Sequence, residues 1–170
     1  MMHILPQYIT VILSLTNKRF KRFEPEESKM NIKQISIFLE NKSGRLAEVL
    51  EILGDENIRI NALTIADTSE YGILRLIVSD YQGAVSALKK KEFAVTLTEV
   101  IAVSTPNKAG SFAKVLKALS DENISIEYMY AFKWSTNAAI ILRPDSIDLA
   151  LHVLGKHKFQ MLTTENLENL

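Results

Sequence analysis

A stretch that occurs twice constrains this chain more than any other feature. Asn41-Lys-Ser-Gly-Arg-Leu-Ala-Glu-Val-Leu50 returns as Asn107-Lys-Ala-Gly-Ser-Phe-Ala-Lys-Val-Leu116. The correspondence runs on without a gap, with Leu53-Gly-Asp-Glu-Asn-Ile-Arg-Ile60 repeated as Leu119-Ser-Asp-Glu-Asn-Ile-Ser-Ile126. A constant offset over that length is an internal repeat, so the fold must be built from two copies of one unit.

Each copy reads as strand, glycine turn, helix, strand. Ile35, Ile37 and Leu39 alternate on one face of a strand that ends in the polar turn Asn41 to Gly44. Leu46, Val49, Leu50 and Leu53 then fall on one helical stripe, and Phe112, Val115, Leu116 and Leu119 repeat it. A second strand opens at Ile58 or Ile124.

The rest of each copy completes the unit. In the first, Ile73 to Val78 is a nearly continuous apolar run, expected as a buried central strand. Asp80 is placed to cap a helix over about residues 82–90, with Val85 and Leu88 inward, and Phe93 to Leu97 reads as a fourth strand. Glu99 to Ser104 opens the second copy almost without a linker. There, Tyr128, Tyr130 and Phe132 alternate along the second strand, and Ala138 to Leu142 is the third. Pro144 is expected in the first turn of the next helix, Gly155 at its end, and Phe159 to Leu162 as the last strand. Two α+β units of βαββαβ order result, each an antiparallel four-stranded sheet with two helices.

Residues 1–29 lie outside the repeat. The apolar run Ile9 to Leu15 is too short to span a bilayer, and its cluster of basic residues, Lys18 to Arg22, follows rather than precedes it, which argues against an export signal. The expected organisation is an appendage over 1–29, a first domain over 30–98 and a second over 99–170. A net charge of +0 gives no bulk attraction to nucleic acid or an anionic membrane, and with 0 cysteines there are no disulfides, thiolate metal sites or cysteine nucleophiles. That composition suits a cytoplasmic protein. His3, His152 and His157 are scattered without partners at ligand spacing, so neither a metal nor another cofactor is expected.

The Asn-x-x-Gly turn followed by Leu or Phe, the helix ending in Asp-Glu-Asn, the Ile-x-Ile strand and the segment Glu127 to Phe132 together resemble the ACT domains, in particular proteins with two in tandem. The resemblance covers essentially everything after Met30. It implies ferredoxin-like units paired side by side into one continuous sheet. It further implies a non-catalytic regulatory protein, a homodimer, that binds an amino acid or similar zwitterion between ACT units and acts on a biosynthetic enzyme. The ligand residues it implies are Asn41, Ser43, Gly44, Arg45, Leu46, Arg59 and Asn61 in the first copy. In the second they are Asn107, Ala109, Gly110, Ser111, Phe112 and Ser125.

The chemistry of the turn supports the turn residues of that set. Gly44 and Gly110 admit a close backbone approach, the following amides stand at a helix N-terminus that favours a carboxylate, and an asparagine side chain offers both a carbonyl and an amide. The same sequence also serves simply as a turn with a cap, and both copies need it to fold. Family members often carry a further asparagine where this chain has Arg59 and Ser125. Side-by-side pairing would set Glu48 and Glu51 opposite Lys114 and Lys117, unless both stripes are merely solvated. Tyr128, Tyr130 and Phe132 are expected to pack between the units.

Three other functions fit the topology less well. RNA-binding relatives of the fold place aromatics on their first and third strands, whereas the third strands here are aliphatic. An acylphosphatase-like site would have Arg45 alone as its anion ligand, opposite Ser111 in the second copy. A ligand-free oligomerisation module is the remaining alternative.

Overall fold

A computed structural model describes residues 30–67 and 71–168. The elements are β1 (Ile32–Glu40), α1 (Arg45–Asp55), β2 (Ile60–Asp67), β3 (Tyr71–Val78), α2 (Tyr81–Lys90) and β4 (Ala94–Pro106). They continue as α3 (Ser111–Ser120), β5 (Ile126–Trp134), β6 (Asn137–Pro144), α4 (Ile147–Lys156), β7 (Gln160–Leu162) and α5 (Thr164–Glu168). All strand pairings are antiparallel, in the order β2-β3-β1-β4-β6-β5, and β7 also pairs with β4.

The 13-residue β4 serves both copies. Its Ala94 to Val100 pair with β1, and from Ile101 to Pro106 it pairs with β6. The sequence suggested two strands here. No glycine or proline interrupts the β-branched run from Val95 to Thr105, so the ladder continues from one unit into the next.

The repeated Asp-Glu-Asn acquires a physical reason. Asn57 and Asn123 adopt φ of 55° and 57°, just beyond the helices α1 and α3. Asn57 N donates to Gly54 O at 2.9 Å and Ile58 N to Leu53 O at 2.9 Å, which satisfies carbonyls the helix end would otherwise strand. Asparagine tolerates this left-handed conformation better than most residues.

Two boundaries differ from expectation. Pro144 ends β6, opposite Ile126, where its missing N–H costs no interior ladder bond, and α4 begins only after Ser146. Gly155 lies inside α4, and the left-handed residue beyond it is Lys158 at φ 58°. Asp80 caps α2 as expected, accepting from Gln82 N and Gly83 N at 3.1 and 3.0 Å.

Each unit buries its own core between helices and sheet. Ile35, Ile37, Leu39, Val49 and Leu53 lie in the first, and Ile101, Val103, Val115, Leu119 and Leu154 in the second. A third cluster joins the opposite sheet faces, bringing Ile32, Ala62 and Ile77 together with Ala139, Ile141 and Leu162. The open faces of the two units therefore pack on each other, which is why Ile77 on β3 and Ala139 and Ile141 on β6 are apolar on the side away from the helices. Close helix packing is between α1 and α2 and between α3 and α4, each pair within one unit. Glu48 pairs with Arg45 and Lys117 with Asp121 on their own helices, so the expected opposition of glutamate and lysine stripes is not the arrangement adopted.

Candidate functional site

Both glycine turns take the conformation their sequence demands. Gly44 and Gly110 have φ of 88° and 80°, and each is the N-cap of its helix without a side-chain cap. A Cβ added at either would meet nothing within 4 Å, so the requirement for glycine is conformational rather than one of space.

The two turns differ in what surrounds them. In the first, the Arg45 guanidinium lies 4.5 Å above the Phe93 ring and pairs with Glu48, a carboxylate in the first turn of α1. Lys42 hydrogen-bonds Glu40 at 2.6 Å, and that bond holds the Glu40 carboxyl below its usual range. The positive end of α1 thus has its own anion. In the second, Ser111 replaces Arg45 and no acidic residue stands in the first turn of α3.

The second turn borders open space. A cavity of about 440 Å³ is lined by Asn107, Lys108, Ala109, Gly110, Phe112 and Ala113. A second, of about 250 Å³, shares Asn107 and Phe112 and extends to Ala131, Lys133, Asn137 and Ala138. The first is of a size at which small-molecule sites occur, about 300–1,000 Å³. A further concavity of about 200 Å³ faces the start of α2 near Lys33, Ser79 and Tyr81, where Asp80 already caps the helix.

Within one chain the implied ligand residues do not all converge. Asn41, Ser43, Gly44, Arg45 and Leu46 stand at one end of the sheet; Arg59 and Asn61 stand at the other, a β2 length away, about 20–25 Å at 3.3 Å per residue. Arg59 N donates to Ser79 Oγ at 3.0 Å, while the Asn61 Nδ2 is buried without a partner beside an irregularity in β2. Ser125 is likewise remote from Asn107, Ala109, Gly110, Ser111 and Phe112, and its N–H donates to Asp145 Oδ2 at 3.3 Å.

A polar cluster lies between the units, and only its tyrosines stand out in the sequence. Gln34, fully buried, donates to the Tyr128 hydroxyl at 2.7 Å and to Thr98 Oγ1 at 3.0 Å, and accepts from the Tyr130 hydroxyl at 3.0 Å. The Arg75 guanidinium lies 3.9 Å over the Tyr128 ring. Gln34 alternates with Ile32 and Ser36 on the face away from the helices, and no spacing rule marks such a residue.

The comparisons with known proteins agree with this architecture. The model of the family described as ACT domain pair matches residues 30–170. The chain belongs to that family. Protein BT0572 from Bacteroides thetaiotaomicron is 49% identical, with 83% of this chain and 98% of that one covered and a TM-score of 0.80. The ligand-free regulatory subunit of aspartate kinase from Thermus thermophilus is 16% identical over 75% of this chain and 92% of its own, with a TM-score of 0.57. The corresponding subunit from Thermus flavus is 17% identical, with the same coverage and a TM-score of 0.54. These last two show likeness of fold. No curated protein matches the chain.

Proposed function

We propose that this chain is a non-catalytic regulatory protein that binds an amino acid at the Asn107 to Phe112 turn and relays occupancy to an enzyme of amino-acid metabolism. The observation that carries the reading is the cavity of about 440 Å³ over the N-terminus of α3, where no acidic side chain occupies the first turn. The amides there attract an α-carboxylate, and the Asn107 carbonyl can accept from an ammonium. Membership in the ACT domain pair family supports the regulatory role. The likeness of fold to regulatory subunits of aspartate kinase supports an enzyme partner.

The remote positions of Arg59, Asn61 and Ser125 favour a homodimer. The outer edges of β2 and β5 are unpaired in the sheet order, and Leu63 and Ile65 on β2 are about half exposed. Antiparallel apposition of such edges would bring the start of one edge strand toward the turn at the end of another. Among the described residues no helix is long and apolar enough to cross a membrane, and we place the protein in the cytoplasm.

A thermal-shift screen against the twenty amino acids tests the reading. A ligand at a hundredfold excess over its Kd should add about 2.7 kcal/mol of stability, and Asn107→Ala should weaken it. Absence of any shift with all twenty would defeat the proposal, leaving a ligand-free oligomerisation module.

A further inference from the structure

We propose that the site in the second repeat selects an amino acid whose side chain carries a carboxylate. This rests on the proposed function and adds the class of ligand. The charged residues lining the two cavities, which share Asn107 and Phe112, are Lys108 and Lys133, both cationic. Neither has an ion-pair partner among the described residues.

Strand register says where the side chain goes. Lys133, Ala138 and Thr105 form one row across β5, β6 and β4, about 10 Å from end to end for two cross-strand steps. Thr105 shares the parity of Ile101 and Val103, which face the helices, and Ala138 that of Ile140 and Leu142. The row therefore lies on the helix-facing side, with Ala138 as cavity floor. Small residues at Ala131 and Ala138 leave that floor open.

At the inner end of the row, beside the Ala138 floor though not among the residues that line the cavities, stands an unused donor. Thr105 is only 3% exposed, and its Oγ1 has no hydrogen-bond partner. Buried hydroxyls are rarely left so, since an unmet one costs stability. A carboxylate over Ala138 would accept from Thr105 at one end and meet the Lys133 ammonium at the other, while the α-carboxylate occupies the amides of α3. A neutral amide would leave Lys133 without a counter-charge, and a basic side chain would be repelled.

The first repeat supplies the contrast. Its corresponding row is Asp67, Gly72 and Leu39, which reverses the charge at one end and removes the hydroxyl at the other. The two copies have diverged where a ligand's side chain would lie.

Calorimetry with L-aspartate, L-glutamate, L-asparagine and L-glutamine at low salt decides the matter. One acid should bind at least about tenfold more tightly than its amide, the worth of one charge-assisted hydrogen bond. Lys133→Gln should bring that ratio within about threefold, by loss of the ion pair alone. Thr105→Val, which removes an unpartnered buried hydroxyl, should weaken acid binding without lowering the melting temperature of the unliganded protein; a purely structural threonine would not separate the two. A neutral or basic amino acid that binds more tightly than both acids, and loses affinity in Asn107→Ala, would overturn the selectivity while sparing the turn as a site. Binding by none of the twenty would overturn both.

Discussion

Gln34 and Tyr128, which belong to different repeats, are joined by a 2.7 Å hydrogen bond from Nε2 to the phenolic oxygen. The same amide's carbonyl accepts from Tyr130 at 3.0 Å. One side chain thus pins the open faces of the two units. Gln34→Leu keeps the volume but leaves two hydroxyls without their partner, so it should cost about 1–3 kcal/mol of unfolding free energy. Urea denaturation will show it; a loss below about 0.5 kcal/mol would mean that water replaces the glutamine.

Tyr130 gives that contact a pH dependence. Burial, the largest cause, and the neighbouring Tyr128 push its phenol well above the usual tyrosine range, against a smaller opposing effect from Arg75. A folded pKa raised above the unfolded value of about 10 means that the unfolded chain releases the proton first. Its contribution is complete below about pH 10 and declines as pH climbs from there toward the raised folded value. Tyr130→Phe should flatten the loss of stability above pH 10, measured by denaturation across pH 9 to 11. An unchanged slope would place the alkaline loss on other groups.

The charge stripes on α1 and α3 should act independently. Glu48 is engaged by Arg45, and Lys117 by Asp121, each within its own helix. Reversing Glu48 and Glu51 to Lys, reversing Lys114 and Lys117 to Glu, and combining both should give effects that add within about 0.3–0.5 kcal/mol. Coupling beyond that range at low salt would restore the side-by-side opposition that the sequence suggested.

Much of this fold was legible because the repeat fixed the period. Ile35, Ile37 and Leu39 announced one buried face, and Val49 with Leu53 the helix that covers it. The continuity of β4 was not legible, since Glu99 resembled the start of a copy and nothing in pairing preference says that one strand serves two units. Stacking of the open faces was half legible: Tyr128 and Tyr130 signalled an interface, but their partner Gln34 is a single polar residue in an alternating strand. At the proposed site, the left-handed glycine of the Asn107 to Gly110 turn was readable, while the roles suggested by Lys133 and Thr105 needed register. Those residues come together through two strand pairings that no local spacing encodes.

The two glycine turns should separate stability from binding. Gly44 and Gly110 sit at φ of 88° and 80°, and a methyl group at either would meet nothing within 4 Å. Alanine at each position therefore incurs only the left-handed backbone penalty, about 1–2 kcal/mol for an L-residue. Gly44→Ala and Gly110→Ala should lower the unfolding free energy by similar amounts, since neither gains a clash. Their effects on ligand affinity should differ. At the first turn Arg45 and Glu48 already occupy the helix end, so a distorted Gly44 has little to disturb. At the second, relief of the strain by rotation of the turn would re-aim the amides over the cavity that Asn107 and Phe112 share. Isothermal calorimetry should find binding weakened by Gly110→Ala and unchanged by Gly44→Ala. Equal losses in both would show that the first turn also holds ligand, and a loss only in Gly44→Ala would move the site to the first repeat.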